Sequence, residues 1–241
     1  MDVNANDKLW NEDRNNKFRN ADFQYLLAEL CEMYPNKVVF STSFNIEDQV
    51  ITHFIAMGRY PVEIFTLDTG RMFQETYNVW SATEKKYGIK ITSYFPDAKE
   101  VEELVKKQGI NGFYESVENR KECCHVRKIQ TLQRALKNKK VWITGVRSEH
   151  SEYRKYMNLF EWDDKFQIIK FNPLIHWTTE EVMDCIRKND IPYNSLYDKG
   201  FKSIGCAPCT RAIKEGEPYR SGRWWWENSE EGKKECGLHL K

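Results

Sequence analysis

The chain is predicted to be an α/β protein with a three-layer, mainly parallel sheet and an irregular C-terminal tail. Two observations predict this. Short runs of β-branched and aromatic residues alternate with amphipathic helical segments, and from about Ser195 neither period continues. Strand–helix alternation implies right-handed crossovers and a sheet covered on both faces. In such sheets ligands gather at the carboxyl ends of the strands. The loops "STSFNIED", "LDTGR" and "GVRSEHSEYR" are therefore the places to expect a site.

Each element is justified by its local pattern. Phe23, Leu26, Leu27 and Leu30 recur at helical spacing in "NADFQYLLAELCEMYP", and Pro35 helps to end that helix. Val38 to Phe40 form a buried strand that opens into a Ser/Thr turn. "IEDQVITHFIAMG" is helical and stops at Gly58. "VEIFTLDTG" gives a second strand and turn, and "RMFQETYNVWSATEKKYG" a second amphipathic helix. "IKITSYF" is a third strand, with helical segments on either side of a cysteine pair, including "RKIQTLQRALKN". "KVWITGVRSEHS" supplies a fourth strand and "KFQIIKFNPLIHW" a fifth. "TTEEVMDCIRKN" is the next helix, and its Thr178 and Glu181 suit a capping box. One domain of 241 residues is expected: a helical region to about 35, an α/β body from about 36 to 194, and a functional segment and tail from about 195 to 241.

Composition narrows the function. Charge is balanced, 37 Lys+Arg against 36 Asp+Glu, which argues against a strongly basic nucleic-acid binder but allows local anion sites. No run of eighteen apolar residues suggests a membrane span, and the polar start lacks a secretory signal of the usual form. A cytoplasmic setting is expected. Seven cysteines in a reducing compartment point to metal binding or catalysis rather than stapling. A homo-oligomer is compatible with the sequence, which does not reveal exposed apolar patches.

Three groups of cysteines differ in kind. Cys123 and Cys124 are adjacent within the cationic "RKECCHVRK", and adjacent cysteines rarely bridge each other. Cys206 and Cys209 form a C-x-x-C. Together they supply four thiolates in two pairs, enough for a tetrahedral zinc or a cubane iron–sulfur cluster. An adjacent pair suits a single ion awkwardly but can reach two irons of a larger cluster. Cys236, beside Lys233, Lys234 and His239, has neighbours that lower a thiol pKa, although an inert exposed thiol is the more frequent case. Cys31 and Cys185 fall in apolar helical patterns and are expected to be buried hydrophobes. "STSFNIED", between strand and helix, could receive an anion on helix N-terminal amides, yet it is neither a Walker A loop nor a G-x-G-x-x-G loop. Lys128, Arg147, Arg154, Arg220 and Arg223 lie in loops or beside cysteines; singly each reads as surface charge. Trp224, Trp225 and Trp226 are expected to divide between packing and exposure.

Taken together, "STSFNIEDQV", "TLDTGRMFQETY", "RKECCHVRK", "GVRSEHSEYR", "GCAPCTR", "YRSGRWWWE" and "KECGLH" resemble, in order, assimilatory adenylyl-sulfate (APS) reductases, from about Val38 to His239. The resemblance implies the adenine-nucleotide α-hydrolase fold, close to ATP-pyrophosphatase domains. It implies a 4Fe–4S cluster on Cys123, Cys124, Cys206 and Cys209, and Cys236 as nucleophile. Substrate contacts are implied for Ser43, Glu47 and Asp48 in a modified phosphate loop, and for Asp68, Thr69, Gly70 and Arg71 in the nucleotide loop. Lys128 would lie between cluster and substrate, with Arg220 and Arg223 near the phosphosulfate; Arg147 is a further candidate. Thioredoxin is the implied electron donor, in assimilatory sulfate reduction and cysteine biosynthesis. One departure is Asn45, where the family loop usually has glycine. A PAPS reductase commonly lacks the cluster cysteines, so this chain favours APS. A non-catalytic zinc-binding module would give no reason for "KECGLH". A tRNA-thiolating ATP pyrophosphatase is disfavoured by the neutral charge and the missing glycine-rich, lysine-containing loop.

Overall fold

A computed structural model describes residues 22–227 and 237–238. The N-terminal part of the expected helical region, and Cys236, lie outside the described residues.

Helix α1 (Phe23–Met33) begins at Asp22, whose carboxylate accepts from the Gln24 amide. Strand β1 (Val38–Thr42) leads into α2 (Ile46–Met57), and β2 (Glu63–Leu67) into α3 (Gln74–Tyr87). Strand β3 (Thr92–Tyr94) is followed by α4 (Ala98–Gln108). Helix α5 (Val117–Cys124) runs through a π-helical turn at His125–Ile129 into α6 (Gln130–Ala135). Strand β4 (Val141–Ile143), strands β5 (Phe160–Asp163) and β6 (Ile168–Phe171), and helix α7 (Thr179–Lys188) complete the body. The Thr178–Glu181 capping box is present.

The six strands lie in the order β3-β2-β1-β4-β6-β5, parallel except for β5. Alternation along β1 sends Val38 and Phe40 to one face, packed with Leu27, Ile51, Ile55 and Val182, and Val39 to the other, packed with Leu132, Leu136 and Trp142. Both faces are thus covered by helices, as a parallel sheet requires. The expected three-layer architecture is present. After α7 the described residues form only short 3-10 turns and a single antiparallel bridge between Thr210 and Arg223.

Two local results differ from the sequence reading. Strand β5, in "FEWD", carries no sequence signal of its own; it is a short antiparallel edge whose Phe160 stacks on Phe171 at 4.7 Å. The segments around the cysteine pair form one continuous helical run, with the π turn directly after Cys124. The extra residue in that turn rotates α6 relative to α5, and such turns recur at functional sites.

Candidate active site

A cavity of about 180 Å³ opens at the carboxyl ends of β1, β2 and β4. Its floor is the β1–α2 loop. Phe44 takes φ 60 there, a strained value for a bulky residue, with its ring buried and stacked on Trp80 at 5.5 Å. The turn exposes Ser43 to the cavity and leaves Asp48, in the first turn of α2, to accept from the Ser43 amide (2.7 Å) and hydroxyl (2.8 Å). Burial outweighs these hydrogen bonds and raises the Asp48 carboxyl to about 7. A Cβ on Gly145 would stand 2.2 Å from Asp48 Oδ1, so glycine is required where β4 ends against this loop.

Asn45 does not use the conformational freedom of the glycine it replaces, since its φ is −72. Its side chain is instead a staple to the C-terminal segment. Oδ1 accepts from Tyr197 Oη (2.9 Å) and the Ile204 amide (3.3 Å), while Nδ2 donates to Ser43 Oγ and the Ile204 carbonyl.

The β4 loop carries a buried ion network. Arg147, expected at the substrate, is wholly buried and does not line the cavity. Its guanidinium is held by Glu47 (2.9 Å), Glu149 (2.6 Å), the Trp177 carbonyl and Thr179. Burial opposes ionisation of Glu47, but His150 and Arg147 outweigh it and bring the carboxyl down to about 2. Burial, with Arg154 and Arg147, holds the His150 imidazole below its ordinary value despite the pull of Glu47. With its imidazole held below the ordinary value, His150 supports the Glu47 carboxylate at neutral pH through its hydrogen bond (3.0 Å), beside the charge of Arg147. It is Arg154, later in the loop, that contributes to the cavity wall.

In the β2 loop, Thr69 lines the cavity, whereas Asp68, Gly70 and Arg71 do not. Asp68 accepts from the Gly70 amide (2.8 Å) and from Tyr77 Oη (2.9 Å), shaping a turn in which Gly70 has φ 70. Arg71 turns away, over the Phe113 ring at 5.0 Å and onto the Ile110 carbonyl.

A second, smaller cavity of about 20 Å³ lies next to the first. Cys123, Cys124, Cys206 and Cys209 all line it, together with Arg71, Arg120, Arg127 and Lys128. Two distant pairs thus meet: the first from the end of α5, the second from the turn after Gly205. Burial pushes the Cys209 thiol up to about 12 and raises Cys123. Burial also opposes ionisation of Cys206, but Lys128, the Thr69 hydroxyl (3.3 Å), Arg223 and Arg127 reverse its shift and lower it. Among the described residues, no three His, Cys, Asp or Glu side chains converge as ligands of one metal ion. Four sulfur donors around one space that Arg71, Arg127 and Lys128 also line nevertheless fit an anionic polynuclear iron–sulfur group.

Lys128 and Cys206 belong to the walls of both cavities. Arg220 and Arg223 complete the cationic side of the larger one. Both guanidinium groups lie over the Trp224 ring, at 5.9 and 4.7 Å, and Arg120 lies over it at 4.7 Å. Arg223 Nε has no acceptor among the described residues. Arg120 is buried in a bidentate pair with Glu227 at 2.7 and 2.8 Å. Trp224 is buried, Trp226 packs on Phe113 and Tyr114, and Trp225 is half exposed, the division expected. The Gly237 carbonyl accepts a hydrogen bond from Lys165 (3.0 Å), and Leu238 lines the larger cavity, packed beside Leu132 and Trp142. Sequence reasoning missed His150, Tyr197 and Tyr219 as cavity residues; the only signal for His150 was its place in the "GVRSEHSEYR" loop.

A mainly parallel sheet covered by helices, with a cation-walled cavity at its strand ends, has the architecture of the adenine-nucleotide α-hydrolase fold, as the structural comparison below bears out. The model of the phosphoadenosine phosphosulfate reductase domain matches residues 37–212, and the chain belongs to that family. It is 48% identical over 204 residues to the adenosine 5'-phosphosulfate reductase of Agrobacterium fabrum (strain C58), covering 85% of this chain and 78% of that protein. It is 46% identical to the adenosine 5'-phosphosulfate reductase of Allochromatium vinosum, covering 90% and 83%. The crystal structure of phosphoadenylyl-sulfate reductase from Candida auris, a phosphate complex, superposes with a TM-score of 0.70 at 29% identity, over 83% of this chain and 94% of that one.

Proposed function

We propose that this chain reduces adenosine 5'-phosphosulfate to sulfite and AMP, in sulfate assimilation and cysteine biosynthesis, with thioredoxin as donor and in the cytoplasm, where thiols stay reduced. The observation that carries this reading is the convergence of Lys128, Arg154, Arg220 and Arg223 on one cavity that Leu238 also lines. Leu238 stands only two positions after Cys236 in the chain.

The anionic phosphosulfate would sit against these cations, beside Ser43 and Thr69 of the cavity wall. The Cys236 thiolate attacks the sulfur; an S–S bond forms as the S–O bond to the phosphate breaks, and AMP leaves with the bonding pair. Lys128, Arg220 and Arg223 stabilise the charge that develops on the departing phosphate. Cys236 then carries an S-sulfo group. One thiolate of thioredoxin attacks the Cys236 sulfur and expels sulfite; the second thioredoxin thiol resolves the mixed disulfide, returning Cys236 and oxidising thioredoxin by two electrons.

Cys123, Cys124, Cys206 and Cys209 would hold a 4Fe–4S cluster. When bound, that group supplies a rigid cross-link between α5 and the C-terminal segment and a charge environment beside Lys128. Glu47 and Asp48 line the cavity as well as holding its loops, whereas Arg147 braces the loops from behind the cavity wall.

The test is thioredoxin-dependent sulfite release from APS, compared with Cys236→Ser and with the 3'-phosphorylated nucleotide, on a sample whose visible absorbance and metal content are recorded. Sulfite from APS that disappears in Cys236→Ser, from a brown iron-containing protein, supports the proposal. Faster turnover of the 3'-phosphorylated nucleotide reassigns the substrate. A colourless protein with stoichiometric zinc and no sulfite release overturns the reading in favour of a zinc-binding module.

A further inference from the structure

His150 is nearly enclosed, 8% exposed, yet it contributes to the wall of the larger cavity. Its ring stacks on Tyr219 at 4.9 Å with planes 20° apart, so its orientation is defined. Nε2 lies 3.0 Å from Glu47 Oε1, and Nδ1 lies 3.1 Å from Arg154 Nη1. A guanidinium has only donors. Nδ1 must therefore be the acceptor, and the single ring proton resides on Nε2, where the Glu47 carboxylate accepts it. Every polar atom of the ring is committed, one to each partner.

We infer that His150 is a positioning residue for the anion site, a neutral imidazole that passes the orientation of buried Glu47 on to the Arg154 guanidinium at the cavity wall. This deepens the proposed function and rests on APS as the ligand. The consequence is a dependence on pH. A second proton would enter at Nδ1, placing an N–H against the N–H of Arg154 and two positive charges about 3 Å apart. The groups facing the ring are Glu47 from α2, Arg147 and Arg154 from its own loop, and Tyr219 from the C-terminal segment. Burial and the two arginines resist that proton, and Glu47 alone favours it. The folded state thus keeps His150 neutral through neutral pH and below its ordinary range. As pH falls through the lowered value, protonation forces Arg154 away and anion affinity declines.

Glutamine offers a donor and an acceptor at similar reach and does not titrate, so it can preserve the relay without the pH response. APS affinity is measured by calorimetry from pH 5 to 8 on the full chain with Cys236→Ser, which blocks turnover. His150→Ala should weaken APS binding about tenfold at pH 7.5, the scale of one lost orienting hydrogen bond to a charge. His150→Gln should recover most of that loss and flatten the decline in acid. An acid decline unchanged in His150→Gln, or no loss in His150→Ala, overturns the inference. Failure of APS to bind at any pH in the His150 parent overturns the functional reading instead. In that event ¹⁵N spectra of the imidazole still decide: a neutral ring protonated at Nε2 supports the relay, and a proton on Nδ1 at neutral pH overturns it.

Discussion

Gly205 controls where the Arg223 guanidinium can be. A Cβ built on Gly205 would stand 2.3 Å from Nη2, 2.5 Å from Cζ and 2.8 Å from Nη1 of Arg223, so the whole planar group packs flat on the glycine. The clash is with the far end of a long side chain. The Gly205→Ala protein should therefore fold, at the cost of moving that guanidinium by about 1 Å or more to reach ordinary contact of ~3.5–4 Å. Arg223 is buried and lines the cavity, so the displacement alters the cavity wall, where the proposed function places the anion. A hydrogen bond to a charged group is worth about 1.5–3 kcal/mol. At about 1.4 kcal/mol per decade, kcat/KM for APS should fall roughly 10- to 100-fold. The assay is sulfite release, with the melting temperature and visible absorbance of the same preparation as controls. A double-mutant cycle isolates the mechanism: in an Arg223→Ala background, Gly205→Ala should cost almost nothing further. Wild-type kcat/KM in Gly205→Ala, or equal losses in both backgrounds, would refute the reasoning.

Two further predictions concern the frame of the site. Asp48 has its carboxyl raised from the ordinary 3.8 to about 7, so the folded chain holds a proton that the unfolded chain releases; stability declines as pH rises between those values. Asp48→Asn keeps an acceptor for Ser43 and cannot titrate, so its melting temperature should fall less than wild type from pH 4 to pH 7; parallel curves would contradict the assignment. Breaking the Arg120–Glu227 pair by Arg120→Met or Glu227→Leu alone should cost about 3–5 kcal/mol in denaturant unfolding, because each leaves a buried charge, while the double substitution should recover much of it. Additive losses would show that the pair is not coupled.

The sheet was legible because its central strands are continuous apolar runs and its helices carry strong periods: "KVVF", "KVWI" and "IIKF" cannot be placed comfortably at a surface. Strand β5 escaped because four residues with a half-exposed edge show no usable alternation. The two cysteine pairs were legible as chemistry, but their meeting in one cavity depends on a chain reversal across more than eighty residues that local pattern does not encode. The arginines show the limit most plainly. Arg147 and Arg154 share one loop and are alike in sequence, yet the first is consumed by Glu47 and Glu149 and the second reaches the cavity. Arg120 was indistinguishable from Lys121 until Glu227, 107 positions later, arrived beside it. Tertiary pairing, not residue type, decides which cation binds and which one braces.

The Arg120–Glu227 pair has a kinetic meaning as well. It pins the chain nine residues before Cys236. At about 3.6 Å per residue, no path between them lets the thiol travel more than roughly 30 Å from that anchor. One thiol confined to such a volume is at an effective concentration on the order of millimolar. If Cys236 is the nucleophile, as proposed, that bound is also the largest radius around the anchor within which a reducing partner can meet it.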